Sequence, residues 1–192
     1  MKEISVLTVK LLLICAIVAA LLAGVNTITT PIIAANEQKN FETAMQEVLP
    51  DATSFEEIKI TNFIPSKVGS RLDSIYLADN GGYVANVVGT EGYGGDIQIM
   101  VSILPDLTVG KLKIMTMSET PGLGAKASAS SFLNQYQTLS GPVEVIKNAS
   151  PVGNQVQAIA GATVTTKAVT KAVNTALEAA AYAQEQKGGD AK

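Results

Sequence analysis

The stretch from Leu11 to Val25 (LLLICAIVAALLAGV) contains no charged or strongly polar residue, and it constrains this chain more than any other segment. Ile4, Val6, Leu7 and Val9 before it and Ile28 after it extend the apolar character. At about 1.5 Å per residue, a helix from Lys10 to Thr29 crosses a hydrocarbon core of about 30 Å. Lys10 stands near one end, where its ammonium can snorkel to the headgroups. Lys2 and Lys10 precede the run and Asn36-Glu37 is the first strongly polar pair beyond it, so the positive-inside rule places the N-terminus in the cytoplasm and the rest outside. A cleaved signal peptide ending at Val18-Ala19-Ala20 competes with this reading. It would leave a chain beginning Leu21-Leu22, still strongly apolar, and a single retained span is preferred. Cys15 lies inside the run and reads as apolar filler.

The rest of the composition removes most kinds of active site. The chain has 192 residues, no His, no Trp and one Cys. No Ser-His-Asp or Cys-His arrangement can be assembled from it, and one thiol in an apolar run holds neither zinc nor an iron–sulfur cluster. No catalytic side chain and no metal site are expected. A net charge of −3 with a pI near 5.0 gives no support to nucleic-acid binding.

After the span the pattern is that of an α+β domain. Pro31 permits a new helix start, and Ile33, Phe41, Ala44, Met45, Val48 and Leu49 recur at helical spacing up to Pro50. The period then changes to two in Tyr83–Val88, Ile97–Val101 and Leu112–Met115, with Leu104-Pro105-Asp106 as a turn, which suits a twisted antiparallel sheet with flanking helices. Glu91-Gly92-Tyr93-Gly94-Gly95 makes a glycine-rich corner between two strands. Glu119-Thr120-Pro121-Gly122-Leu123-Gly124-Ala125-Lys126 is too rich in Pro and Gly for a strand or helix, and a helix is expected near Ala127 to Tyr136. The expected organisation is a membrane anchor over 1–30, an amphipathic connecting helix over 31–50, an extracytoplasmic domain over 51–186 and a tail over 187–192.

One place in this domain is suited to an anion. Ala160-Gly161-Ala162-Thr163-Val164-Thr165 runs into an Ala/Val/Lys pattern from Thr166 to Ala181 that reads as a helix. A small-residue loop lets backbone N–H groups approach an anion, and the helix N-terminus favours negative charge there. Between Glu144 and Glu178 there is no acid, whereas Lys147, Lys167 and Lys171 are present. A tight turn with a threonine cap explains the same residues without a ligand, and an ordinary connector explains the 119–126 segment.

The order of these pieces resembles the G subunit of the Rnf complex, a relative of the C subunit of the sodium-pumping NADH:quinone oxidoreductase. The resemblance rests on the N-terminal span, the Val48-Leu49-Pro50 helix end, Gly92-Tyr93-Gly94-Gly95 before the Ile97 strand, Glu119 to Gly124, and Gly161-Ala162-Thr163. It implies an FMN-binding domain whose flavin is attached by a phosphoester to a threonine, here Thr163, by a separate flavin transferase. It also implies that the Glu119 to Gly124 loop lies against the isoalloxazine ring, with Thr120, Gly122 and Leu123 in that loop, Lys126 as an electrostatic partner, and Tyr93, Gly94, Gly161, Ala162, Val164 and Thr165 around the cofactor. Ala160 and Gln157 depart from the family pattern, which has Ser or Thr and an acid there. Both leave the Thr163 hydroxyl and the Gly161-Ala162 pair intact.

The resulting expectation is a single-pass membrane flavoprotein that passes electrons inside an ion-translocating ferredoxin:NAD⁺ oxidoreductase, beside other membrane and peripheral subunits. No Gly-x-Gly-x-x-Gly turn between strand and helix is present, so the chain itself is not expected to bind NAD. The alternatives are a membrane-tethered binding module without flavin and an independent flavin reductase.

Overall fold

The computed structural model describes residues 2–60, 63–66 and 68–189. The chain divides into two compact units, residues 1–43 and 44–192.

The first unit lies within one helix, α1 (Lys2–Val48), which runs through Pro31 without a break. The new helix start expected at Pro31 is therefore not seen. Its apolar window has a mean hydropathy of 2.6, and none of that window is buried. In the turns before the proline the hydroxyls of Thr27, Thr29 and Thr30 donate to the carbonyls of Ala23, Val25 and Asn26 at 2.8, 2.9 and 2.7 Å. Hydroxyls bonded back onto their own helix leave fewer polar groups facing lipid, which is how apolar spans tolerate threonine and proline.

The second unit is built on a five-stranded antiparallel meander, β1 (Phe55–Glu57), β2 (Ser70–Ala78), β3 (Tyr83–Gly89), β4 (Ile97–Ile103) and β5 (Val109–Thr116), paired in sequence order. All of β3 is buried, and so is β4 apart from Gln98. A period of two is compatible with one solvated face, but both faces of β3 and β4 are covered. Tyr83, Ala85 and Val87 pack with Ile97, Ile99, Val101 and Ile103 against α3 (Thr163–Gly189). On the other face Ser102 Oγ donates to the Val48 carbonyl at 2.8 Å, and Ala44, Met45, Val48, Leu49 and Ala52 are buried.

α3 is longer than the expected Thr166–Ala181 at both ends, and of the expected tail Lys187 is still helical while 190–192 lie outside the described residues. Its buried face is Ala168, Val169, Ala172, Val173, Ala176, Ala179, Ala180 and Ala183. Small side chains bring this helix close to the sheet: a Cβ on Gly89 would sit 2.7 Å from the Ala168 carbonyl oxygen. The single helix expected near Ala127 to Tyr136 is instead three short turns, Gly124–Ser128, α2 (Ser130–Leu133) and Asn134–Tyr136. Ala129 interrupts it with an extended backbone, ψ 136°. A parallel pair, β6 (Glu144–Ile146) and β7 (Gln155–Gln157), completes the unit. Asn174 ties this region to α3, accepting from the Val143 N–H at 2.7 Å and donating to its carbonyl at 3.0 Å.

Candidate functional site

Two turns of one design face each other at the start of α3. In the first, the Leu123 N–H donates to the Thr120 carbonyl at 3.2 Å, with Pro121 and Gly122 between them and Gly122 at φ +78°. Proline second and a positive-φ glycine third is the pattern of a type II turn. In the other, the Ala162 N–H donates to the Ile159 carbonyl at 2.9 Å, and Gly161 stands third at φ +77°. The turns touch, because a Cβ on Gly161 would lie 3.1 Å from Leu123 Cδ2.

Between them opens a cavity of about 520 Å³ lined by Tyr93, Glu119, Thr120, Leu123, Gly124, Gly161, Ala162, Thr163, Val164 and Thr165. That volume is in the range that holds a cofactor. Tyr93, Leu123 and Val164 are exposed by 76%, 45% and 50%, so large apolar groups stand in solvent at its rim. An exposed apolar rim with a few polar groups inside is what a flat ligand needs.

The polar groups sort the threonines. Ala162 accepts the first intrahelical bond, from the Thr166 N–H at 3.0 Å, so Thr163, Val164 and Thr165 are the first helical residues, whose N–H groups have no acceptor within the helix. The Thr166 hydroxyl is buried, donates to the Ala162 carbonyl at 3.0 Å and accepts from the Ile159 N–H at 3.1 Å. The Thr165 hydroxyl is buried and donates to Glu119 Oε2 at 2.9 Å. Thr163 is half-buried, lines the cavity, and its hydroxyl has no protein partner among the described residues. Three free N–H groups, a helix dipole and one unengaged hydroxyl suit a phosphate, and the apolar rim suits an aromatic ring system; the residues present fit FMN.

Every residue lining the cavity was singled out from the sequence. Three expected members stand apart from the lining. Gly94 contributes through its N–H, which donates to Glu119 Oε1 at 3.1 Å. Gly122 shapes the turn, and neither its N–H nor that of Gly124 takes part in the turn hydrogen bonds. Lys126 is exposed and lines a separate cavity of about 230 Å³ with Gln135, Gln157 and Ile159. Lys171 is paired with Glu91 at 2.5 Å. Lys147, Lys167 and Lys171 do not line the cavity, so the positive character there comes from the backbone N–H groups at the start of α3 and not from the lysines. Ala160 is the exposed second residue of its turn, and the Gln157 N–H donates to Gln135 Oε1 at 2.8 Å, so both departures from the family pattern lie outside the cavity.

What sequence reasoning missed is the part played by Glu119. It joins the 91–95 corner, the Pro-Gly loop and the first turn of α3, contacts across 25 and 46 residues of chain. A signal was present: it is the single acid between Asp106 and Glu144.

Residues 92–178 match the FMN-binding domain family, a span that contains the whole cavity lining. The chain is similar to the G subunit of the Na⁺-translocating ferredoxin:NAD⁺ oxidoreductase complex of Acetobacterium woodii, 36% identical with 92% of this chain and 91% of that protein covered. It is similar to the same extent, 36% over 92% and 91%, to the G subunit of the proton-translocating ferredoxin:NAD⁺ oxidoreductase complex of Clostridium ljungdahlii. Among solved structures, NqrC of Shewanella oneidensis aligns over 66% of each chain with 21% identity and a TM-score of 0.49.

Proposed function

Because the chain belongs to the G-subunit family of ion-translocating ferredoxin:NAD⁺ oxidoreductase complexes, we propose that it is the membrane-anchored electron carrier of such a complex, with FMN held as a phosphoester on Thr163. The observation that carries this reading is the sorting of hydroxyls: of the three threonines at the start of α3, Thr163 alone presents an unengaged hydroxyl to the cavity. The N–H groups of Thr163, Val164 and Thr165 would hold the phosphate, and Leu123, Val164 and Tyr93 would bound the ring. Gly124 would bring backbone close to the ring, where its N–H can act as a donor. When bound, the flavin supplies the electron-transfer chemistry; the chain supplies position, exclusion of water from one side and the local field.

The domain lies outside the cytoplasm in this reading, with α1 as anchor, and a separate flavin transferase forms the ester. A covalent tether suits that location, since FMN lost there is not readily replaced. The other membrane and peripheral subunits supply and accept the electrons, and one span with its threonine hydroxyls turned inward is not itself an ion conduit.

Intact-protein mass spectrometry of the full chain, co-expressed with its flavin transferase and purified in detergent, tests the assignment. The expected result is a gain of one FMN less one water, on the peptide that contains Thr163. A colourless, unmodified chain beside a demonstrably active transferase would overturn it.

A further inference from the structure

Of the residues that line the cavity Glu119 alone is charged, and the charge is negative. It is 9% exposed. Its partners are neutral, the Thr165 hydroxyl at 2.9 Å on Oε2 and the Gly94 N–H at 3.1 Å on Oε1. The ion pairs among the described residues, Arg71–Asp73, Lys113–Glu47 and Lys171–Glu91, do not include it. A buried carboxylate without a cation is costly, and a neutral amide of the same reach would clip the same segments together. What a neutral group would not supply is the charge.

That charge has little freedom to move. A Cβ on Gly124 would overlap Glu119 Oε2, and one on Gly92 would lie 2.9 Å from Oε1, so backbone closes on the carboxylate from two sides. We propose that Glu119 is a tuning residue: its carboxylate, pinned by Gly94 and Thr165 in the cavity wall, opposes negative charge on the bound flavin and lowers its reduction potential. This rests on FMN occupying the cavity, as proposed above. Reduction by two electrons with uptake of one proton from water converts a neutral ring into one bearing a single negative charge. A cavity of this volume is about 10 Å across, and at an effective dielectric constant near 20 a fixed like charge at that range shifts the equilibrium about tenfold or more.

The test compares the full wild-type chain with Glu119→Gln, each made with the flavin transferase and purified in detergent. Glutamine keeps the clip, because its Oε1 can accept from the Gly94 N–H while its amide donates to Thr165 Oγ1. FMN content is read from intact mass, and both proteins are then titrated with dithionite beside a reference dye at constant pH. At the ambient potential that half-reduces the wild type, the ratio of reduced to oxidised flavin in Glu119→Gln is expected to be about tenfold higher or more. Equal ratios at equal FMN content overturn the proposal and leave the flavin reading in place. If Glu119→Gln takes up no flavin, the same ratio is read in Thr165→Val, which keeps the charge and removes a donor that offsets it. There the ratio is expected to fall below wild type, and no change or a rise overturns the proposal. A wild-type chain with no flavin overturns the underlying reading, and this inference with it.

Discussion

A methyl group on Gly161 would stand 3.1 Å from Leu123 Cδ2, so the turn that leads into α3 and the Pro-Gly turn meet directly at the mouth of the cavity. Gly161 also has φ +77°, where a side chain is strained whatever the space. Gly161→Ala is expected to cost about 1–2 kcal/mol from the backbone. That is a fall in Tm of a few degrees for a domain of this size. It should also lower FMN attachment, because Leu123, which lines the cavity, must shift to admit the methyl. Thermal unfolding followed by circular dichroism, beside intact mass, checks both; an unchanged Tm with full attachment would show that the turns do not meet as described.

The three threonines at the helix start should separate by kind of loss. Thr163→Ala should abolish the flavin adduct with little effect on stability, since its hydroxyl bonds no other group among the described residues. Thr166→Val should keep the adduct and cost about 1–3 kcal/mol, because the Ile159 N–H loses its acceptor. Thr165→Val should likewise retain the adduct. Mass spectrometry and urea unfolding of the same preparations decide it; an adduct surviving Thr163→Ala would move the attachment point elsewhere.

Tyr136 offers a pH test of the packing between the 134–136 turn and α3. The Thr170 hydroxyl spends its proton on the Thr166 carbonyl at 2.9 Å, so the 2.8 Å bond between Tyr136 and Thr170 has the phenol as donor. Burial pushes the phenol well above its ordinary range, against a smaller opposing effect of the Thr170 bond. The neutral form is thus favoured by folding: its stabilisation is complete below the unfolded pKa of about 10 and is lost as pH rises from there toward the folded value. Tyr136→Phe should cost about 1 kcal/mol near neutrality. It should also flatten the alkaline fall in Tm above about pH 10. The same alkaline slope in both proteins would assign that fall to other groups.

Topology is tested with protease on sealed preparations. Lys2 and Lys10 precede the apolar run, so right-side-out cells or vesicles should lose residues beyond about 40 to added protease, while inside-out vesicles should protect them. The reverse pattern would put the FMN domain in the cytoplasm and remove the reason given for a covalent tether.

The apolar N-terminal helix was plain in the sequence, because an uninterrupted apolar run needs no tertiary contact to declare itself. The order of strands was legible for a related reason: β3, β4 and β5 pair with their sequence neighbours, so local patterning coincides with the sheet. The residues of the cavity were named through the resemblance to a family, whereas by their own backbone preferences Pro121, Gly122 and Gly161 marked only turns. Tertiary structure decided what neighbours in sequence cannot. Pro31 falls inside α1 without ending it, since a proline's effect on a helix depends on what satisfies the surrounding backbone. The second face of the sheet is closed by Ala44 to Ala52, remote in sequence from β4, so alternation gave way to full burial. Most of all, the different employments of Thr163, Thr165 and Thr166 arise from Glu119 and Ile159, one of them 46 residues from its partner. A string of three threonines says only that hydroxyls are present; which one stays free is a matter of hydrogen-bond partners brought in by the fold.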